Sequence, residues 1–271
     1  MNKEKIVLHI IERIEARIQK KENISVNEVA VIAGYTKRYT QKIFKEQTGM
    51  NISTYIRRRR LTQAAILIKM TKKTLYHIAM DLHFSTQQSF SRAFSREFDI
   101  TPIDFRNGSY LDCSKLLPNR AIKLTNYHIQ KTHIPALKLS VKSFCFYERL
   151  LSIKATRASK LRISEINNII SNKKEVIIIT TVIPNSKIED VVQLHTRIGY
   201  KDNETFNFET DIMQCWEITY SGGWDEYIKF GRSFMLELDF CSPLYFIEMI
   251  KKSEIDSSDD IYHVKIYLPV A

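Results

Sequence analysis

A chain of 271 residues with 44% hydrophobic and 11% aromatic residues is too apolar for a disordered polymer and holds one large domain or two ordinary ones. Its four cysteines, at 113, 145, 215 and 241, form no Cys-x-x-Cys pair and have no histidine cluster beside them, which excludes neither core packing nor a reducing compartment but argues against zinc or a disulfide framework. The net charge of +11 is uneven: residues 1–110 hold 20 Lys/Arg against 10 Asp/Glu, and residues 111–271 hold 21 against 20, so the first part is the one suited to a polyanion.

The chain begins MNKEKIVLHIIERIEARIQKK, where Glu12 and Arg13 interrupt the apolar run and leave no signal-peptide core. No run reaches the ~18–20 apolar residues of a membrane span, so a soluble, cytoplasmic chain without a membrane partner is expected. Over residues 4–20, Ile6, Ile10, Ile14 and Ile18 recur every four positions and predict an amphipathic helix. Asn23 and Ser25 offer caps for a helix over Val26–Ala33. Gly34 suits a left-handed corner, and Thr36 can cap a helix running to about Gln47, with Thr48-Gly49 as its stop. Ile43 and Phe44 face the core of that helix, while Arg38, Gln41 and Lys42 fall on the other side. Two short helices about a tight turn are the sequence form of a helix-turn-helix, whose second helix enters the DNA major groove.

Ile52–Met70 predicts a long helix carrying Arg57-Arg58-Arg59-Arg60. Four consecutive residues span more than one helical turn, so only one or two of these arginines can reach phosphate. The first pattern then returns. Leu75–Met80, the turn Asp81-Leu82-His83-Phe84 and Ser85–Phe94 repeat it with an offset of 49 before the turn (Ala30 with Ala79) and 50 after it (Lys42 with Arg92, Phe44 with Phe94, Gly49 with Asp99, Tyr55 with Phe105). Two such units in one chain can set two recognition helices ~34 Å apart, in successive major grooves.

The runs GYTKRYTQKIFKEQTG, YIRRRRL and FSTQQSFSRAFSREFDITPIDFR resemble the AraC/XylS transcription regulators, and among them the MarA, SoxS and Rob group, over about residues 5–107. The resemblance implies an all-α domain of seven helices, with two helix-turn-helix subdomains joined by Ile52–Met70. Carried over position by position, it assigns base contacts to Arg38, Gln41 and Lys42 and to Gln87, Gln88 and Arg92. Arg or Lys can pair with guanine and Gln with adenine in the major groove. Phosphate contacts are assigned to Thr36, Lys37 and Thr86, and to Arg57 and Arg59 of the arginine run. Two positions depart from the family: Arg38 stands where the group commonly has Trp, and His83 where it often has Gly.

Asn107–Pro118, with Gly108 and Pro118 as breakers, reads as a linker, giving domains over 1–107 and 120–271 with 108–119 between them. Beyond it the pattern becomes α+β. Ile122–Phe146 is strand-like in pieces, notably Ala136–Lys142; 148–170 reads as helix; Glu175–Ile183 as a buried strand. After a polar segment come a strand region over Phe206–Tyr220, a turn at Ser221-Gly222-Gly223 and an amphipathic helix over Trp224–Asp239. Leu244–Ile250 and Ile261–Pro269 close as strands. The order suggests two similar modules making a small twisted sheet with helices on one side.

The run WEITYSGGWDEYIKFGRSFMLELDF is similar to the GyrI-like ligand-binding domain that follows the helix-turn-helix domain in Rob. That likeness implies a cleft for an amphipathic or cationic small molecule, with Trp216, Glu217, Tyr220 and Glu248 as candidate lining residues. Aromatic rings can cover apolar or cationic surface, and a carboxylate can meet charge. The sequence thus points to a promoter-binding regulator, an activator that also meets RNA polymerase, with no catalytic or metal-binding residue and no cofactor. Two alternatives stay open: a hydrolase in the C-terminal domain, for which no G-x-S-x-G or metal-ligand spacing is found, and an architectural DNA binder.

Overall fold

The computed structural model describes residues 3–109, 111–121, 127–150, 157–184, 190–233, 241–242, 244–253 and 260–270. These divide into two compact units. The first is helical: α1 (Lys3–Gln19), α2 (Val26–Ala33), α3 (Lys37–Thr48), α4 (Ile52–Met70), α5 (Leu75–Asp81), α6 (Gln87–Phe98) and α7 (Pro102–Asn107). The four-residue isoleucine stripe of α1 is fully buried and packs with Val29, Ile43, Phe44, Ile52 and Tyr55 in one core. The second half of the unit is built on rings instead. Phe84, Phe90, Phe94, Phe98 and Phe105 follow one another at centroid separations of 4.5–6.1 Å.

The repeat seen in the sequence is a repeat in space. Phe44 meets Tyr55 edge to face at 5.6 Å and 71°, and their counterparts Phe94 and Phe105 meet at 5.4 Å and 75°. Both pairs lock a recognition helix to the element that follows it. T-shaped contacts of this kind add to the area the rings bury, by about 0.5–1.5 kcal/mol per pair.

One ion pair lies inside the helical core. Arg59 of α4 donates to Glu15 of α1 through Nε (2.7 Å) and Nη2 (2.8 Å), and its Nη1 donates to the carbonyl of Leu117. The Tyr55 hydroxyl donates to the same carboxylate at 2.9 Å. Arg59 is 4% exposed and Glu15 3%. Burial by itself would make the guanidinium easier to deprotonate, but Glu15 more than offsets it and holds its pKa above the ordinary value. Arg59 is therefore a core residue, and the phosphate contact expected of it is ruled out. Helical spacing puts it inside, because it continues the stripe Ile52, Tyr55, Ile56.

Residues 108–119 do not form a free tether. Leu111–Asp112 (β1) pairs antiparallel with Cys241–Ser242 (β8) in a two-stranded ribbon of the second unit. Lys115–Ala121 belongs with the helical unit, where Leu117 is buried in the core and its amide donates to Thr62 Oγ1 at 2.9 Å.

The rest of the second unit is an eight-stranded antiparallel sheet. Its strands are β2 (His128–Ile134), β3 (Lys138–Arg149), β4 (Val176–Ile183), β5 (Val191–Lys201), β6 (Phe208–Glu209), β7 (Met213–Gly222), β9 (Tyr245–Lys252) and β10 (Tyr262–Pro269), in the order β2-β7-β10-β9-β4-β5-β3-β6. Helices α8 (Arg157–Ile170) and α9 (Trp224–Ser233) pack on β3–β5 and on β7 respectively. Gly199 permits the close pairing of β5 with β3, since a Cβ there would lie 1.9 Å from the Ser140 carbonyl oxygen.

An all-α region followed by an α+β region is thus the layout of the chain, with two corrections of detail. The polar segment after Ile183 contains β5, whose Val192, Leu194, Thr196 and Ile198 alternate with Gln193, His195 and Arg197. Of the helix expected over 148–170, Glu148 and Arg149 belong to β3, residues 151–156 lie outside the described ones, and α8 covers Arg157–Ile170. The two similar modules expected in one sheet are present as β3-α8-β4-β5 and β7-α9-β9-β10, and they join where β4 and β9 pair at the centre of the sheet. Of the helix expected over Trp224–Asp239, residues 234–239 lie outside the described ones. Among the described residues no helix is long and apolar enough to cross a membrane.

Glu15→Ala leaves the Arg59 charge buried without its counter-ion, and should lower the stability of the helical unit by about 3–5 kcal/mol. Urea unfolding followed by the helix signal measures this; a loss below ~1 kcal/mol would show that the pair does not hold α1 to α4.

Candidate nucleic-acid interface

The two helix-turn-helix units have the same turn. In the first, Gly34 N–H donates to Val31 O (3.1 Å) and Tyr35 N–H to Ala30 O (3.3 Å). In the second, His83 N–H donates to Met80 O (3.0 Å) and Phe84 N–H to Ala79 O (2.9 Å). Gly34 has φ 71° and His83 φ 59°, so the non-glycine residue keeps the left-handed corner. Each recognition helix is then capped. Thr36 Oγ1 accepts from Tyr39 N–H at 3.3 Å, and Thr86 with Ser89 forms a reciprocal capping box. The caps point the first turns of α3 and α6, with their unpaired amides, outward.

Arg38, Gln41 and Lys42 on α3 and Gln87, Gln88 and Arg92 on α6 are all exposed. Lys42 stands 4.0 Å from Glu46, a loose pairing one turn along the helix. The inward faces carry Ile43 and Phe44 in one helix and Phe90, Phe94 and Phe98 in the other. Lys37 is exposed at the start of α3, and the side chains of Thr36 and Thr86 are occupied with their caps. Exposed residues that sequence reading left out extend both faces: Lys45 on α3, and Arg96, which continues the four-residue spacing Gln88, Arg92. Tyr35 and Tyr39 form a ring pair 5.1 Å apart at the head of α3.

The arginine run divides four ways. Arg57 is exposed; Arg58 donates to Glu97 at 2.5 Å; Arg59 is buried on Glu15; Arg60 donates to Asn23 at 3.0 Å. Of the four, Arg57 is the one fully on the surface.

In the sheet unit the four ligand candidates do not converge. Strand register puts Trp216, Tyr220 and Glu248 on the face that carries α8 and α9, and Glu217 on the opposite face beside Cys215 and Tyr267. Glu217 accepts from Gln130 at 3.0 Å and pairs with Lys265 at 3.3 Å. Burial alone would raise its pKa, but hydrogen bonds from Tyr267, Gln130 and Lys265 hold it below the ordinary value. Glu248 is buried and already engaged: Arg162 of α8 donates to one oxygen at 2.6 Å, and Tyr227 of α9 donates to the other. Arg162 neutralises the carboxylate, so Glu248 does not stand open to a cationic ligand. Trp224 and Tyr220 flank the group, each about one ring contact from Tyr227 (5.5 and 5.4 Å). Trp216 lies half-buried under Lys131, 4.8 Å from its ring. Sequence reading missed Arg162, since nothing in the spacing of α8 marks it. Among the described residues, no group of three or more His, Cys, Asp or Glu is arranged to hold a metal ion.

The helical unit matches a family model described as a helix-turn-helix domain over residues 20–108. The HTH-type transcriptional regulator YkgA of Escherichia coli K12 is 30% identical over 205 residues, 73% of this chain and 83% of its own length. Regulatory protein SoxS of Salmonella typhimurium is 43% identical over 107 residues, 40% of this chain and 98% of its own. The F1 operon positive regulatory protein of Yersinia pestis is 30% identical over 193 residues, 71% of this chain and 63% of its own. The first and third of these likenesses are too long to be held by the helical unit alone. With the same left-handed turn and capped helix built twice, and with relatives matched over most of their length, the chain belongs to the AraC/XylS family of helix-turn-helix transcription regulators.

Proposed function

We propose that this protein is a sequence-specific activator that seats α3 and α6 in successive major grooves of promoter DNA. The observation that carries this reading is the pair of equivalent capped helices, each presenting outward a set of Arg, Lys and Gln side chains. Among the described residues, the side chains of Arg38, Gln41, Gln87, Gln88 and Arg92 make no hydrogen bond or ion pair within the protein, which leaves their donors and acceptors for base edges. Arg57, Lys37 and the first-turn amides behind Thr36 and Thr86 supply phosphate contacts that set register. The charge of the first 110 residues supports the same partner. The activating sense rests on the name of the Yersinia pestis relative, a positive regulatory protein, and makes RNA polymerase a second partner. The sheet unit is the regulatory part, with the aromatic surroundings of Trp216, Tyr220 and Trp224 as the place for a small amphipathic effector.

Selection from a random duplex pool should enrich two short motifs about one helical turn apart. A pool that enriches nothing would favour architectural binding instead. On the selected duplex, Gln41→Ala and Arg92→Ala should each cost about 1–3 kcal/mol while binding to unrelated DNA hardly changes. Equal losses on both DNAs would argue against base readout. Arg57→Ala should weaken binding to both and lower the salt slope by about 1, the signature of one lost phosphate contact. Trp216→Ala should leave DNA affinity unchanged in the same titration, and a matching loss there would tie the sheet unit to DNA binding itself.

A further inference from the structure

The second helix-turn-helix holds a residue where its backbone would prefer none. His83 has φ 59°, a conformation unfavourable for any side chain with a Cβ, and its counterpart in the first unit is Gly34 at φ 71°. A glycine would suit the corner better, so the imidazole is placed there for what it touches. Its Nε2 lies 2.7 Å from the carbonyl oxygen of Lys21, and since a carbonyl only accepts, Nε2 is the donor. Lys21 lies just past the end of α1 and is itself left-handed, at φ 56°. Its ammonium reaches back to the second helix-turn-helix and pairs with Asp81 at 2.8 Å, and Lys73 also donates to that carboxylate. From α4, Arg60 donates to Asn23 in the same α1–α2 loop at 3.0 Å.

These contacts join two supports. The α1–α2 loop belongs to the helices on which α3 rests, and the turn Asp81–Phe84 directly precedes α6. The connecting helix α4 already links the two halves; His83, Lys21 and Asp81 link them a second time, from the side. Two fixed points between two bodies remove the rocking that one helix would leave.

We propose that His83, with Lys21 and Asp81, is a positioning clamp that fixes the separation of α3 and α6 and thereby sets the spacing of the DNA half-motifs this protein accepts. This rests on the two-groove reading above. A second binding module attached at a fixed geometry gains most when the span matches and loses that gain when it does not. One inserted base pair moves a half-motif by about 3.4 Å and rotates it by about 35°. A clamped pair of helices follows such a change poorly; a hinged pair follows it well.

The test uses the full chain and the selected duplex with its central spacer shortened or lengthened by one or two base pairs. Wild-type affinity should fall on the order of tenfold for one base pair of change, and His83→Gly should cut that penalty to about two- to threefold. Asp81→Asn, which keeps the side-chain shape and removes the charge, should cut it likewise. His83→Gly favours the corner's backbone, so its thermal midpoint serves as the folding control. In both variants the penalty for a mismatched base within either half-motif should stay at the wild-type value, which a general loss of structure would not allow. A wild-type spacing preference that both variants retain overturns the clamp alone. A wild-type chain with no preferred spacing overturns the two-groove reading and the clamp with it.

Discussion

Glu15 and Arg59 make an ion pair almost wholly withdrawn from water, and the first helix-turn-helix is assembled around it. Such a pair contributes little net stability compared with apolar packing, because both ions lose their hydration. What it contributes is uniqueness: α1 and α4 can meet in one rotation and one register, since any other leaves a charge stranded in hydrocarbon. Tyr55 and the Leu117 carbonyl occupy further positions around the two ions, so neither can slide along its partner helix.

The two helix-turn-helix units share geometry and differ in substance. The turn hydrogen bonds, the threonine caps and the edge-to-face ring pair recur at equivalent positions, and these are the features that aim a recognition helix. Their cores are unlike: branched aliphatic side chains fill the first, and a run of phenylalanines fills the second. Constraint has fallen on the direction of the helices and left the filling free, as expected where volume and patterning suffice for a core.

Most of the helical unit was legible in the sequence because each helix carries a periodic stripe and a recognisable cap. The stripe even marked Arg59, which stands seven residues after Ile52 and three after Ile56, and Glu15, four after Ile11. A charge at an apolar position on each of two helices signals a buried pair, though not which helices meet. The arginine run concealed this, since three neighbours of like charge suggest a solvated face. The sheet was less legible. β5 alternates as a strand should, but His195 and Arg197 on its other face gave it the look of a loop. Whether Glu217 and Glu248 share a face depends on the register of β7, β10 and β9, and no local pattern contains that information. The same holds for Arg162, whose partner lies on a strand 86 positions away.

The path of the chain after α7 bears on how this regulator could be cut or recombined. It leaves the helical unit, contributes β1 to the ribbon of the other unit, and returns to place Leu117 among the isoleucines and its carbonyl on Arg59. Arg120 meanwhile donates to the Thr48 carbonyl at the end of α3, at 2.6 Å. A segment that sequence alone marks as spacer is therefore a structural part of the DNA-reading head. Chimaeras joined at residue 108 would uncover the core and leave Nη1 of Arg59 without its carbonyl acceptor; the seam that keeps the head whole lies beyond Ala121.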